Sequence, residues 1–322
     1  MPRLTRRAIT VGALALAATA VLAQPYPSKP IRAVVPFAAG SATDQIGRAF
    51  AEKMSAMLGQ PVVVDNKPGA SGMLGADIVA KAAPDGYTIL VGTNSTNAAL
   101  KFLMKKLPYD QDSAFAPVGY IGSVPLMVAV NNDVPARTLK DLVDLARSRP
   151  GQLSVAYAST SQQVSSAMLA STAGVQLNPI PYKSGPAAMT DLIGGQVNIF
   201  SADFAVTVPQ HKAGKIRGLA VTSTKRAAAV PELPTVNEAG GLKGYELVAW
   251  FAAFVPRDTP RAVVDRLNAA INQAAGAADL KERLGIAGIE TNTMTPAELA
   301  AIVRAETAKW AKAIKDAGIE PE

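Results

Sequence analysis

No cysteine occurs anywhere in the chain, and histidine occurs once, as His211. Structural disulfides, thiolate metal sites and cysteine nucleophiles are thereby excluded, as is any metal site built from several imidazoles. Aromatic residues are scarce at 5%, so Ala, Val, Ile and Leu must fill the cores, a mix that suits helices packed on sheets. No basic run is interleaved with aromatics, which removes nucleic acid from the expected partners. Neither a phosphate-binding Gly-x-x-x-x-Gly-Lys-Ser/Thr loop nor a dinucleotide Gly-x-Gly-x-x-Gly is present. No Gly-x-Ser-x-Gly elbow surrounds a serine. The sequence calls for no cofactor and no metal.

What is present begins with an address. Residues 1–23 read MPRLTRRAITVGALALAATAVLA: a basic start, an apolar stretch from Ala8 to Leu22, and small residues at Val21 and Ala23. That order is the grammar of an export signal, with cleavage expected after Ala23. Arg6-Arg7 leaves the choice of export route open. Arg3, Arg6 and Arg7 also supply three of the seven net positive charges, so the exported remainder is only mildly basic. No later stretch reads as a membrane span, and the expected location is the periplasm.

The remaining 49% apolar composition is arranged as strand, small polar loop and helix, repeated. Ile31 to Phe37 is a buried strand; the loop Ala38 to Asp44 leads into a helix with Ile46, Phe50 and Met54 at helical spacing. Thr43 or Asp44 is the expected N-cap. Pro61 to Val64, the turn Asn66 to Gly72 and a helix from Met73 to Ala83 form the second unit. Tyr87 to Val91, the loop Gly92 to Thr96 and a helix to Lys106 form the third. Leu153 to Tyr157, the loop Ala158 to Gln163 and a helix through Ala173 form the fourth.

Further strands are expected at 178–182, 196–200, 216–222 and 247–255. A linker is expected over Pro231–Gly244, and helices run from Pro260 to the end. Alternation of this kind implies parallel sheets covered on both faces, with ligands beyond the carboxyl ends of the strands. The loops lie at those ends, where unpaired helix N–H groups favour an anion. The same Ser, Thr, Asp and Gly residues also serve as ordinary helix caps.

Several segments together resemble the tripartite tricarboxylate transporter receptors, the Bug family. They include Tyr26-Pro27-Ser28-Lys29-Pro30-Ile31-Arg32, Asn66-Lys67-Pro68-Gly69-Ala70-Ser71-Gly72 and Ala83-Pro84-Asp85-Gly86-Tyr87-Thr88. Asp191-Leu192-Ile193-Gly194-Gly195-Gln196-Val197 and Gly214-Lys215-Ile216-Arg217-Gly218-Leu219-Ala220-Val221-Thr222-Ser223 extend the match. The resemblance implies a monomeric α/β periplasmic binding protein of the two-domain, type II-like form, hinged on crossing strands around a ligand cleft. Residues 24–125 with 250–322 would make the first domain and 126–249 the second. It also implies capture of a small organic carboxylate for the membrane subunits of a tripartite transporter.

Carried onto this chain, the first-loop positions are Phe37, Ala39, Gly40, Ser41 and Thr43. Those of the second loop are Ala70 and Ser71, and those of the third are Thr93, Asn94 and Ser95. Ser159, Thr160, Gln162 and Asp203 are the contacts expected from the second domain. Two departures bear on specificity. Ala39 and Ala42 stand where the family commonly has glycine, and the fourth loop carries Gln162-Gln163, with Met168 where a histidine is usual. Gln162, Gln163 and Asp203 are therefore the candidates for reading the far end of the ligand. Two other functions remain open on sequence grounds: a receptor reporting to a signalling partner, and a hydrolase using Asp44, Asp203 or His211 as a base. His211 reads as a surface or capping residue, and Asp44 as a cap.

Overall fold

A computed structural model of the chain describes residues 26–321; the signal expected over residues 1–23 lies outside the described residues. The chain enters through β1 (Ile31–Val35), in which all but Arg32 are buried, and continues into α1 (Ala42–Leu58). β2 (Val62–Asn66), α2 (Met73–Ala80) and β3 (Thr88–Thr93) follow. β2 and β3 both pair in parallel with β1. The chain then crosses over on β4 (Phe115–Val130) and builds a second α/β unit. This unit contains α3 (Leu139–Ser148), β5 (Ser154–Tyr157), α4 (Thr160–Ala173), β6 (Asn178–Pro181), α5 (Gly185–Ile193), β7 (Ile199–Asp203), α6 (Phe204–Lys212), β8 (Arg217–Val221) and α7 (Val236–Gly240). It returns on β9 (Val248–Pro256) and ends in α8 (Arg261–Gly276), α9 (Ala278–Ile286) and α10 (Pro296–Asp316).

The two crossing strands position the site. β9 pairs antiparallel with β3 on one side and with β4 on the other, from Phe115↔Pro256 to Pro125↔Val248. At the next residue β4 changes partners: Leu126 to Val130 pair with β7, and Met127 to Val130 also with β8. Two half-sheets, β2-β1-β3-β9 and β7-β5-β6, therefore share β4 as a common spine, giving a two-lobed α/β fold. β4 carries Pro117, Gly119, Gly122 and Pro125, and the register slips beside both glycines. A Cβ on Gly122 would stand 2.8 Å from the Glu290 carbonyl, so glycine is required there. This strand is absent from the elements expected, because its prolines and glycines read as turn residues.

Four other expectations are corrected. Ser41, not Thr43 or Asp44, caps α1: its Oγ accepts the Asp44 N–H at 3.2 Å, and Asp44 sits at the third helical position. The helix expected after Thr96 is instead a single π-turn over Ser95–Ala99 and a 3-10 turn over Leu100–Phe102. α2 stops at Ala80, short of Ala83. The Pro231–Gly244 stretch is no loose linker. Leu233, Val236 and Leu242 are buried, and Thr235 with Glu238 forms a capping box on α7. Its prolines punctuate a segment that is packed into the core.

Candidate ligand-binding site

Strand ends and helix starts meet between the lobes. The cavity there is flanked by the N-termini of α1, α4, α5 and α6, at Ser41, Ser159, Ser184 and Asp203. From the first lobe Phe37, Ser41, Thr43, Thr93, Asn94 and Ser95 line it. From the second, Ser159, Gln162 and Asp203 do so. Thr160 is buried beside them at the first position of α4.

Ala39 and Gly40 form the loop behind the wall without lining it. The Gly40 N–H is engaged by Asp44 Oδ2 at 2.9 Å. Ala70 and Ser71 face an adjoining cleft that shares Phe37, Ala158 and Lys183 with the cavity. Both adopt left-handed backbone, at φ 46° and 52°, a conformation sequence reading assigns to glycine. Gln163 does not join Gln162. It lines a separate groove with Ser166 and Ala170, because neighbouring helical residues point about 100° apart. Lys183, Ser184 and Gly185 line the cavity although the sequence marked them only as a loop. His211 lies outside it, its Nδ1 accepting the Gly218 N–H at 3.2 Å.

The polar inventory is unusual for a protein interior. Thr93 Oγ1, Asn94 Oδ1, Ser95 Oγ and Thr160 Oγ1 are buried and have no hydrogen-bond partner. Such atoms are rarely left unmatched, because each loses its water without compensation. Three of these residues, Thr93, Asn94 and Ser95, line one cavity, whereas two further unmatched atoms, at Asp77 and Gln111, lie outside it. Asn94 contributes a tie across the lobes, its Nδ2 donating to Ser161 Oγ at 2.8 Å. Behind α4, Ser165 Oγ is 2.7 Å from Ser201 Oγ and 2.8 Å from the Tyr245 hydroxyl, fixing the helix to β7.

Electrostatics separate the two acids near the site. Burial disfavours charge on Asp44, but Arg48, the Gly40 N–H and Asn66 outweigh it and hold the carboxyl below its usual range. Asp44 is thus spent on structure. Burial pushes Asp203 up to about 6, with its own backbone N–H and Gln162 opposing only in part. Gln162 is fixed by the Ala158 N–H, which donates to its Oε1 at 2.7 Å, while its Nε2 reaches Asp203 Oδ2 at a long 3.4 Å. Among the described residues no group of three or more His, Cys, Asp or Glu is placed to hold a metal, and no helix is long and apolar enough to cross a membrane. The arrangement offers hydroxyl and amide donors under helix N-termini, which is chemistry for holding an anion.

Comparison with known proteins gives the same direction. Residues 46–319 match the family model described as "Tripartite tricarboxylate transporter family receptor". A curated relative, the "UPF0065 protein in tcbD-tcbE intergenic region" of Pseudomonas sp. (strain P51), is 41% identical over 316 residues, covering 96% of this chain and 94% of its own. Among solved structures, R. palustris Rpa4515 with adipate superposes with a TM-score of 0.90 at 34% identity, over 92% of this chain and 100% of that one. The periplasmic binding protein BugD gives 0.88 at 36% identity, with the same coverage.

Proposed function

Since the chain belongs to the tripartite tricarboxylate transporter receptor family, we propose that it captures a small organic carboxylate in the periplasm and delivers it to the membrane subunits of a tripartite transporter. The observation that carries this reading is the set of buried, unpartnered oxygens at Thr93, Asn94, Ser95 and Thr160 beneath converging helix N-termini. The likeness to an adipate-bound structure supports a carboxylate as the anion. Ala42 and Thr43, the first two residues of α1, offer N–H groups that no preceding turn can satisfy. The hydroxyls of Thr93 and Ser95, at and just after the end of the neighbouring strand β3, rotate to donate as well. Binding and release are the whole task, with no catalytic step.

Residues 24–125 with 250–322 form one domain in this reading, and 126–249 the other. The partner change of β4 between Pro125 and Leu126 supports that boundary. The cavity holds about 40 Å3, room for little more than water, so entry of a ligand requires the lobes to part. The protein works as a monomer, exported by cleavage after Ala23. N-terminal sequencing of periplasmic material tests the last point; a chain still beginning at Met1 would refute it.

The function is tested by calorimetric titration against aliphatic and aromatic carboxylates of graded length. Saturable binding is expected, weakened about tenfold or more by Thr93→Val, since a hydrogen bond to a charged group is worth about 1.5–3 kcal/mol. Failure of every carboxylate to bind would sink the reading.

A further inference from the structure

Asp203 occupies the N-cap position of α6, where an aspartate ordinarily turns back to accept a helix N–H, yet its side chain makes no capping bond. It lines the cavity instead. Its partners are its own backbone N–H and the long contact from Gln162 Nε2 at 3.4 Å. A carboxylate has room for about four hydrogen bonds, so part of this acceptor capacity faces the cavity unused. Gln162 cannot turn to supply more, because its oxygen is held by the Ala158 N–H.

The charged surroundings do not neutralise it. Among the described residues Lys183, on the connection between β6 and α5, is the only other ionisable residue lining the cavity. It is exposed, also borders the adjoining cleft, and makes no ion pair with Asp203. Asp44 on α1 is tied to Arg48, Gly40 and Asn66. From α4 the facing groups, Ser161 and Gln162, are neutral. No titratable residue of β4 or α5 lines the cavity.

Resting on the carboxylate reading above, we infer that Asp203 makes the far end of the pocket a donor-selective subsite. The preferred ligands carry one carboxylate and, at the other end, a hydroxyl or ammonium group. A second ionised carboxylate is rejected by like charge, and a methyl terminus leaves Asp203 buried with its acceptors unfilled. A dicarboxylate is admitted only when one proton is shared between it and Asp203, so its affinity rises as pH falls.

The test is a calorimetric comparison of four ligands on one carbon skeleton: the ω-hydroxy acid, the ω-amino acid, the plain monocarboxylate and the dicarboxylate. It is run on four-, five- and six-carbon skeletons with wild type and Asp203→Asn. At about pH 8 the wild type should bind the hydroxy or amino acid at least about tenfold more tightly than the dicarboxylate of equal length. Asp203→Asn should shrink or invert that preference. Wild-type affinity for the dicarboxylate should climb several-fold from pH 8 to pH 5, and the variant's should not follow. A wild type that favours the dicarboxylate at pH 8, or a variant with unchanged ranking, overturns the subsite while leaving carboxylate capture intact. Should Asp203→Asn fail to fold, the wild-type ranking and pH series decide alone. No binding by any member of the series overturns both readings together.

Discussion

Replacing Asp203 with Asn should stabilise the unliganded protein at neutral and alkaline pH. Burial pushes the native carboxyl up to about 6, above its ordinary value of 3.8, so folding opposes its ionisation. The native state then binds more protons than the unfolded chain between those two values, and stability falls as pH rises through that window. Two pKa units amount to about 3 kcal/mol. Water in the cavity screens part of this, leaving about 1–2 kcal/mol as the cost of the charge at pH 8. Asn keeps an oxygen for Gln162 and removes the charge. For a protein of this size the gain corresponds to about 2–4 °C in Tm. Thermal melts of wild type and variant at intervals from pH 4 to pH 8 read it directly. The two should coincide near pH 4 and separate progressively above it. A variant less stable than wild type at pH 8, or an offset independent of pH, would refute the argument that Asp203 is held ionised against its surroundings.

Other residues give independent outcomes. Ser95→Ala removes a buried hydroxyl with no partner, so it should leave the apo Tm unchanged or raised while weakening carboxylate binding about tenfold; melts paired with titrations check this. Ser41→Ala should cost both stability, by about 1 kcal/mol as a lost cap, and affinity, because Ser41 caps α1 and lines the cavity; denaturant unfolding separates the two effects. Glu306 Oε2 accepts both indole N–H groups, from Trp250 and Trp310, at 3.0 Å each. Glu306→Ala should therefore destabilise by about 2 kcal/mol or more and shift tryptophan emission, which reports only these two residues.

Much of this was legible in the residues themselves. Runs such as Ile31-Arg32-Ala33-Val34-Val35 announce buried parallel strands, and the loops after them supply Thr43, Thr93, Asn94 and Ser95 to the cavity. What local pattern could not carry is anything set by the crossing strands. β4 is disguised by its own prolines and glycines, whose purpose appears only once Glu290 lies against Gly122. Lys183, Ser184 and Gly185 become part of the site because that spine brings the second lobe's loops opposite Phe37. The left-handed backbone at Ala70 and Ser71 carries no glycine to signal it. The separation of Gln162 from Gln163, by contrast, follows from helical geometry and was available without coordinates.

The return of the chain on β9 also orders its assembly in time. Leu90 of β3 waits for Phe254, and Ala116 of β4 waits for Val255, so the first half-sheet cannot close until nearly the whole polypeptide has emerged. β4 to β8, in contrast, complete their own ladders within one continuous stretch. Long-range pairing of this kind is slow, and open strand edges remain exposed meanwhile. The amino-terminal strands therefore stay without their closing partner until β9 has been made. That delay makes the β3 and β4 edges the points where a holding chaperone has most to protect.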